Sequence, residues 1–230
     1  MKIGIIVAMG KELDLLLPHI EGHSQTVLPS GQTLHTGTMA GGRHSVAAMQ
    51  SGIGKVNAAL GTAALVDAFD PEIVINTGVA GGTGSDARVM DVVVGDRVAY
   101  HDVWCGPCAE RGQIQGMPRF FEGAPAVLGL EVLDSISRLH RGLIASGDQF
   151  VDNAADLAKI TALYPDVKAV DMESAAMAHT CHIKGVPFAS IRVVSDTPGK
   201  EEDNTGQYLD FWTDAPKATF ATLQTIVNAL

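Results

Sequence analysis

The sequence predicts an α/β fold: a mostly parallel sheet, helices on both of its faces, and one domain spanning residues 1–230. Three observations predict it. Short, continuously apolar β-rich runs alternate with helical patterns from end to end. Twenty-five glycines against ten prolines suit many tight strand-to-helix turns. A hydrophobic fraction of 46% over 230 residues is enough for one well-buried core, and no repeat, linker or low-complexity tract divides the chain.

The elements follow in order. "KIGIIVA" reads as a buried strand, and "KELDLLLPHI" as a short helix stopped near Pro18. "QTLHTGTMAG" and "HSVAAMQSG" read as strands with Gly-rich turns. "GKVNAALGTAALVDAF" reads as a helix with Val56, Leu60, Ala63 and Ala64 on one face, broken at Asp70-Pro71. "EIVINTGVAGG" is an apolar strand entering a glycine turn, and "DVVVGDRVAYHD" gives two more β segments. A helix around "AVLGLEVLDSISRLH" leads to the strand "GLIASGD". The helix "NAADLAKITALY", the strand "VKAVDM", the helix "ESAAMAHTCHIK" and the strand "PFASIRVVSD" follow. A closing amphipathic helix runs from about Tyr208 to Leu230.

The net charge of −10 argues against nucleic acid, whose phosphates need clustered Lys and Arg, and against an anionic membrane surface. The apolar run in "MKIGIIVAMGKELDLLL" is too short for a secretory core or a bilayer span. Three cysteines do not form a secreted disulfide framework. The expectation is a soluble cytoplasmic protein.

Four features invite other readings. "WCGPC", residues 104–108, spells a thioredoxin-type dithiol. Such a dithiol needs a helix after its first Cys to lower the thiol pKa, whereas "AERGQIQGMPRF" has the composition of a loop. "SGIGKVN" resembles a phosphate loop, yet Met49 stands where the first glycine is needed and Val56 where Ser or Thr is needed. "GVAGGTGSDA" follows a strand without an evident helix after it, which weakens a dinucleotide reading. His179, Cys181 and His182 share a helix without a second ligand cluster, so ordinary packing is favoured over a metal.

The informative residues lie where the strands end, because ligands of open parallel sheets bind beyond the carboxyl ends of the strands. Glu12 follows the first strand, Asp148 and Phe150 follow "GLIA", Asp171, Met172 and Glu173 follow "VKAV", and Ser195 and Asp196 follow "ASIRVV". Each acid alone could be a helix cap or a first-turn carboxylate. Together they would repel a phosphorylated ligand and suit a reaction that develops positive charge. N-glycosidic cleavage is such a reaction. One carboxylate activates water, a second stabilises the oxocarbenium-like ribose, and a protonated third donates to the leaving base.

At these residues the chain resembles the 5′-methylthioadenosine/S-adenosylhomocysteine nucleosidases of the wider nucleoside phosphorylase superfamily. The supporting segments are "KIGIIVAM", "SGIGKVNAA", "INTGVAGG", "YHD", "GLIASGDQFV", "AVDMESAAMAHTC" and "VVSD", in that order over nearly the whole chain. The resemblance implies a nucleoside phosphorylase-like three-layer α/β/α sandwich with a central mixed, mostly parallel sheet. It also implies a homodimer and hydrolysis of adenine from 5′-methylthioadenosine and S-adenosylhomocysteine, with 5′-deoxyadenosine a further candidate substrate and with neither cofactor nor metal.

Carried over, Glu12 would activate water. Glu173 would hold the ribose hydroxyls and the developing cation, with Met172 beneath the sugar. Asp196 would protonate purine N7, helped into place by Ser195. Phe150 would stack on adenine and the Val151 backbone would read its edge. Arg192 would lie near the water and the glutamates, and Met9 and Val79 would line the substrate pocket. Two positions depart from relatives: Val79 replaces a Ser that some of them carry, and Asp171 is one methylene shorter than the first Glu of their "EMEG"-like segment. "VWCGPCAER" falls in a variable loop, where Trp104 or Met117 would line the pocket for the 5′ substituent. Four other readings stay open: a futalosine-type hydrolase, a purine nucleoside phosphorylase, a non-catalytic nucleoside binder and a thiol oxidoreductase.

Overall fold

Strand β1 (Lys2–Val7) shows how the sheet is built. Ile3, Ile5 and Val7 enter one core cluster and Ile6 enters the other, because successive side chains leave a strand on opposite faces. β4 (His44–Gln50), β5 (Ile73–Gly82) and β10 (Phe188–Asp196) alternate in the same way. A sheet with both faces apolar needs a helical layer on each side. The computed structural model, which describes residues 1–198, 206, 208, 211 and 216–230, has these layers. On one side lie α1 (Gly10–Leu16), the short α4 (Val132–Ser135) and α7 (Pro216–Ala229), which contribute Leu13, Leu16, Leu133 and Leu223. On the other lie α2 (Lys55–Phe69) and α6 (Ser174–Lys184), packed on each other and contributing Leu65, Val66, Met177 and Cys181. A third cluster joins Ile160 of α5 (Ala154–Leu163) to β8 (Leu139–Ser146) and β9 (Val167–Asp171).

The strand order is β10-β6-β8-β9-β5-β1-β4-β3-β2, with β6 at Val92–Tyr100, β3 at Thr33–Met39 and β2 at Glu21–Val27, and the short β7 (Phe121–Glu122) pairs with β6. β4–β1–β5–β10 and β6–β8–β9 pair in parallel. β2–β3–β4 is an antiparallel meander, and the antiparallel pairs β6–β10 and β5–β9 join the two parallel sets. The sandwich is therefore the expected mixed one, with one addition. β10 pairs with β5 as well as β6, so β5, β10, β6, β8 and β9 close into a ring.

Local departures have local causes. β2 was not foreseen, since "EGHSQTV" is exposed along its length and is held by pairing with β3. "DVVVGDRVAYHD" forms one strand with a register shift between Gly95 and Arg97, not two strands. The helix expected around "AVLGLEVLDSISRLH" is two single turns, α3 (Pro125–Leu128) and α4, separated at Gly129. On α2 the expected apolar face is only partly covered: Val56 is 69% and Leu60 63% exposed and Ala63 and Ala64 are half-buried, while Ala58, Gly61, Thr62, Leu65 and Val66 are buried. Of the closing helix, Tyr208, Phe211 and 216–229 are helical, and part of the remainder lies outside the described residues.

Candidate active site

The carboxyl ends of β1, β5, β8, β9 and β10 face one cavity. It is lined by Met9 and Glu12 after β1, Val79 to Gly81 on β5, and Phe150 and Val151 after β8. Asp171 to Glu173 after β9 and Arg192, Ser195 and Asp196 on β10 complete it. The ten residues to which the resemblance gives a place at the base, ribose or water thus line a single cavity, and Asp148 does not. Ile53, Gln149 and Tyr208 also line it. Those three carry no charge pattern that sequence reasoning could have used.

Glu12 stands in the first turn of α1 and is 1% exposed. Its Oε2 accepts from the N–H groups of Ala8 (3.0 Å) and Met9 (2.9 Å), so one oxygen does cap the helix. Its Oε1 turns to β5 and accepts from Val79 N–H at 3.2 Å. β5 can come this close because residue 78 is glycine: a Cβ there would collide with Glu12 Oε1 and lie 2.7 Å from Arg192 Nη1. Burial raises the pKa of Glu12, against the opposing pull of the Arg192 charge and these backbone donors. Val79 offers no hydroxyl, but its main chain serves both charged neighbours, since its carbonyl accepts from Arg192 Nη1 at 3.3 Å.

Arg192 is 1% exposed, so its guanidinium must be paired. Nη2 lies 2.8 Å from Asp171 Oδ2 and 3.6 Å from Glu173 Oε2, and Nε and Nη2 each donate to Ser174 Oγ at 3.2 Å. Asp171 is also a helix cap, accepting at Oδ1 from the N–H groups of Glu173 (3.3 Å) and Ser174 (3.2 Å). Glu173 is buried and accepts from Gly54 N–H at 3.0 Å. Its pKa is pushed up to about 7, by burial first, and the neighbouring Asp171 and Glu12 charges add to the rise while Arg192 opposes it. Asp196 is 2% exposed and accepts from Ser195 Oγ at 2.5 Å. It sits at the register shift between β10 and β5, facing Gly81. At the mouth, the Phe150 ring is 45% exposed and meets the Tyr208 ring edge-on at 5.6 Å, and Tyr208 donates to Met9 Sδ at 3.3 Å.

The tempting motifs resolve in the same geometry. The amides that open α2 are not a phosphate cradle: Gly54 N–H binds Glu173, and Lys55 N–H binds Asp148 at 2.7 Å. Cys105 and Cys108 lie on an exposed loop with no helix after Cys105. Trp104 is covered by the Arg111 guanidinium at 4.6 Å. Neither Trp104 nor Met117 lines the cavity within one chain. Beyond a strand, "GVAGGTGSDA" continues into turns and not a helix. His179 is engaged in packing, with Tyr100 Oη 3.1 Å from its ring nitrogen and Phe121 stacked on it.

Comparison with known proteins agrees with this arrangement. A family profile described as the phosphorylase superfamily matches residues 2–228. The 5′-methylthioadenosine/S-adenosylhomocysteine nucleosidase of Chromohalobacter salexigens is 42% identical over 207 residues, 88% of this chain and 87% of that protein. The crystal structure of S-adenosylhomocysteine nucleosidase from Streptococcus pyogenes in complex with 5-methylthiotubericidin superposes with a TM-score of 0.93. It is 36% identical and covers 100% of this chain and 97% of that one. The Streptococcus pneumoniae 5′-methylthioadenosine/S-adenosylhomocysteine nucleosidase with a transition-state inhibitor gives 0.91 at 36% identity, covering 100% and 99%.

Proposed function

The chain belongs to the phosphorylase superfamily and, within it, to the 5′-methylthioadenosine/S-adenosylhomocysteine nucleosidases, and from that premise we propose how it cleaves the N-glycosidic bond of these two nucleosides. The observation that carries the reading is the convergence of Glu12, Glu173 and Asp196, all buried, on one cavity at the strand ends. Asp196, held by Ser195, gives a proton to N7, so the base leaves as neutral adenine. As the C1′–N9 bond breaks, the ribose becomes oxocarbenium-like, and the Glu173 carboxylate stabilises it while holding the hydroxyls. Glu12 takes a proton from a water whose oxygen bonds to C1′. Its raised pKa suits a base working near neutral pH. Phe150 stacks on adenine, the Val151 backbone reads the base edge, and Met172 packs beneath the sugar.

Hydrolysis is favoured over phosphorolysis by the state of Arg192. A phosphate here would need a free cation, and the Arg192 guanidinium is taken by Asp171 and Glu173, while the ionised acids around it repel an anion. The test is product analysis by mass spectrometry after turnover of 5′-methylthioadenosine in phosphate buffer. Free 5-methylthioribose is the expected sugar, and its 1-phosphate would overturn hydrolysis.

The enzyme acts as a homodimer, a reading supported by Ile53, Val56 and Leu60, exposed at one-turn spacings along and just before α2. Exposed free Cys105 and Cys108 suit a reducing, cytoplasmic setting. No helix among the described residues is long and apolar enough to cross a membrane.

A further inference from the structure

We infer that Asp171 is a positioning residue, which holds the Arg192 guanidinium in the gap between Glu12 and Glu173 and touches no substrate itself. The inference rests on the nucleosidase reading and deepens it. Both oxygens of Asp171 are already committed. Oδ1 accepts from Ser146 Oγ (2.5 Å) and from two amides of the α6 turn, while Oδ2 holds Arg192 Nη2 at 2.8 Å and is in hydrogen-bond contact with Ser174 Oγ. The Asp171 side chain is 2% exposed, against 7% for Glu173. Ser146 is itself fixed, accepting from Ala175 N–H at 2.9 Å. Groups from three other elements thus hold the carboxylate at the end of β9: the end of β8, β10 and the start of α6.

The consequence is electrostatic. Arg192 is the only cation among the described residues lining the cavity, and it faces Glu12, Asp171 and Glu173 at once. Asp171 takes its shortest contact and leaves Glu173 the longer one at 3.6 Å. The Glu173 carboxylate is therefore only partly neutralised and keeps its charge for the ribose cation. The groups facing Glu173 are Arg192 from β10, Asp171 from β9, Glu12 from α1 and the Gly54 N–H that opens α2. An amide at 171 would remove one of the two like charges and free the guanidinium to settle on Glu173. The glutamate would then ionise more easily but serve the transition state less well.

The experiment is a pH profile of kcat and kcat/KM for adenine release by Asp171→Asn, Asp171→Glu and the parent protein. Asp171→Asn is expected to lose roughly tenfold to a hundredfold in kcat with little change in KM. Its acid limb should move to lower pH by about one unit. Asp171→Glu restores the charge and should return the acid limb to its original place with part of kcat. An unmoved limb in Asp171→Asn, with only a lowered Tm, would overturn the inference. So would a raised KM at unchanged kcat, which would mean direct ribose contact. Should Asp171→Asn not fold, Ser146→Ala loosens the seat without altering charge. A several-fold lower kcat at an unmoved limb supports the inference, and full activity contradicts it. Failure of the parent protein to release adenine would instead sink the nucleosidase reading.

Discussion

Glu12 divides its two oxygens between the helix cap and the strand that borders the cavity: Oε2 closes the first turn of α1, and Oε1 reaches β5. Glu12→Gln keeps the shape of the cap but cannot take a proton, and Asp196→Asn cannot give one. Each is predicted to cut adenine release by about a hundredfold or more, and a near-native rate in either would remove that residue from its assigned role. Glu173 carries a second prediction. Its folded pKa of about 7 lies above the ordinary glutamate value of 4.5, so between these values the native state binds more protons than the unfolded chain. Stability therefore falls as pH rises through this window, while the ionised carboxylate that the proposed mechanism uses accumulates. At pH 8, Glu173→Gln should melt at a higher temperature than the parent and be severely slowed. A lower melting temperature at pH 8 would show that the carboxylate is a net stabiliser.

Elements differ in how far the sequence reveals them. β1, β5 and β10 were legible because a strand covered on both faces must be apolar throughout. β2 was not, because its residues face solvent and only pairing with β3 makes it a strand. For α2 the pattern revealed an apolar face but not which neighbour covers it, and the small residues Ala58, Gly61 and Thr62 turned out to face the core. That leaves Val56 and Leu60 exposed, where the proposed dimer would cover them. Replacing both with Glu is predicted to halve the mass measured by light scattering, and an unchanged dimer would place the interface elsewhere. β5 gives the element-scale prediction for the site. A methyl group at residue 78 has nowhere to go between Glu12 and Arg192. Gly78→Ala should thus lose about a hundredfold in kcat, as displaced catalytic groups do, and retained activity would mean that the strand shifts freely.

Over the whole molecule, the parallel arrangement made the acids legible, since it sends the ends of strands far apart in sequence to one place. What stayed hidden was the wiring beneath them. Ser146, Asp171, Ser174 and Arg192 meet only because β8, β9 and β10 join one closed ring, and no local pattern announces those pairings. The cavity at the strand ends gathers four carboxyl groups and one guanidinium, in a chain of net charge −10. Such a molecule repels anionic co-substrates and favours a neutral nucleophile such as water. The most direct test of this account is the initial rate of adenine release from 5′-methylthioadenosine in phosphate-free buffer, with Glu12→Gln measured beside the parent protein. Rapid release by the parent, undiminished without phosphate, and nearly none by the variant are expected. Release that requires phosphate, or equal rates in the two proteins, would contradict it.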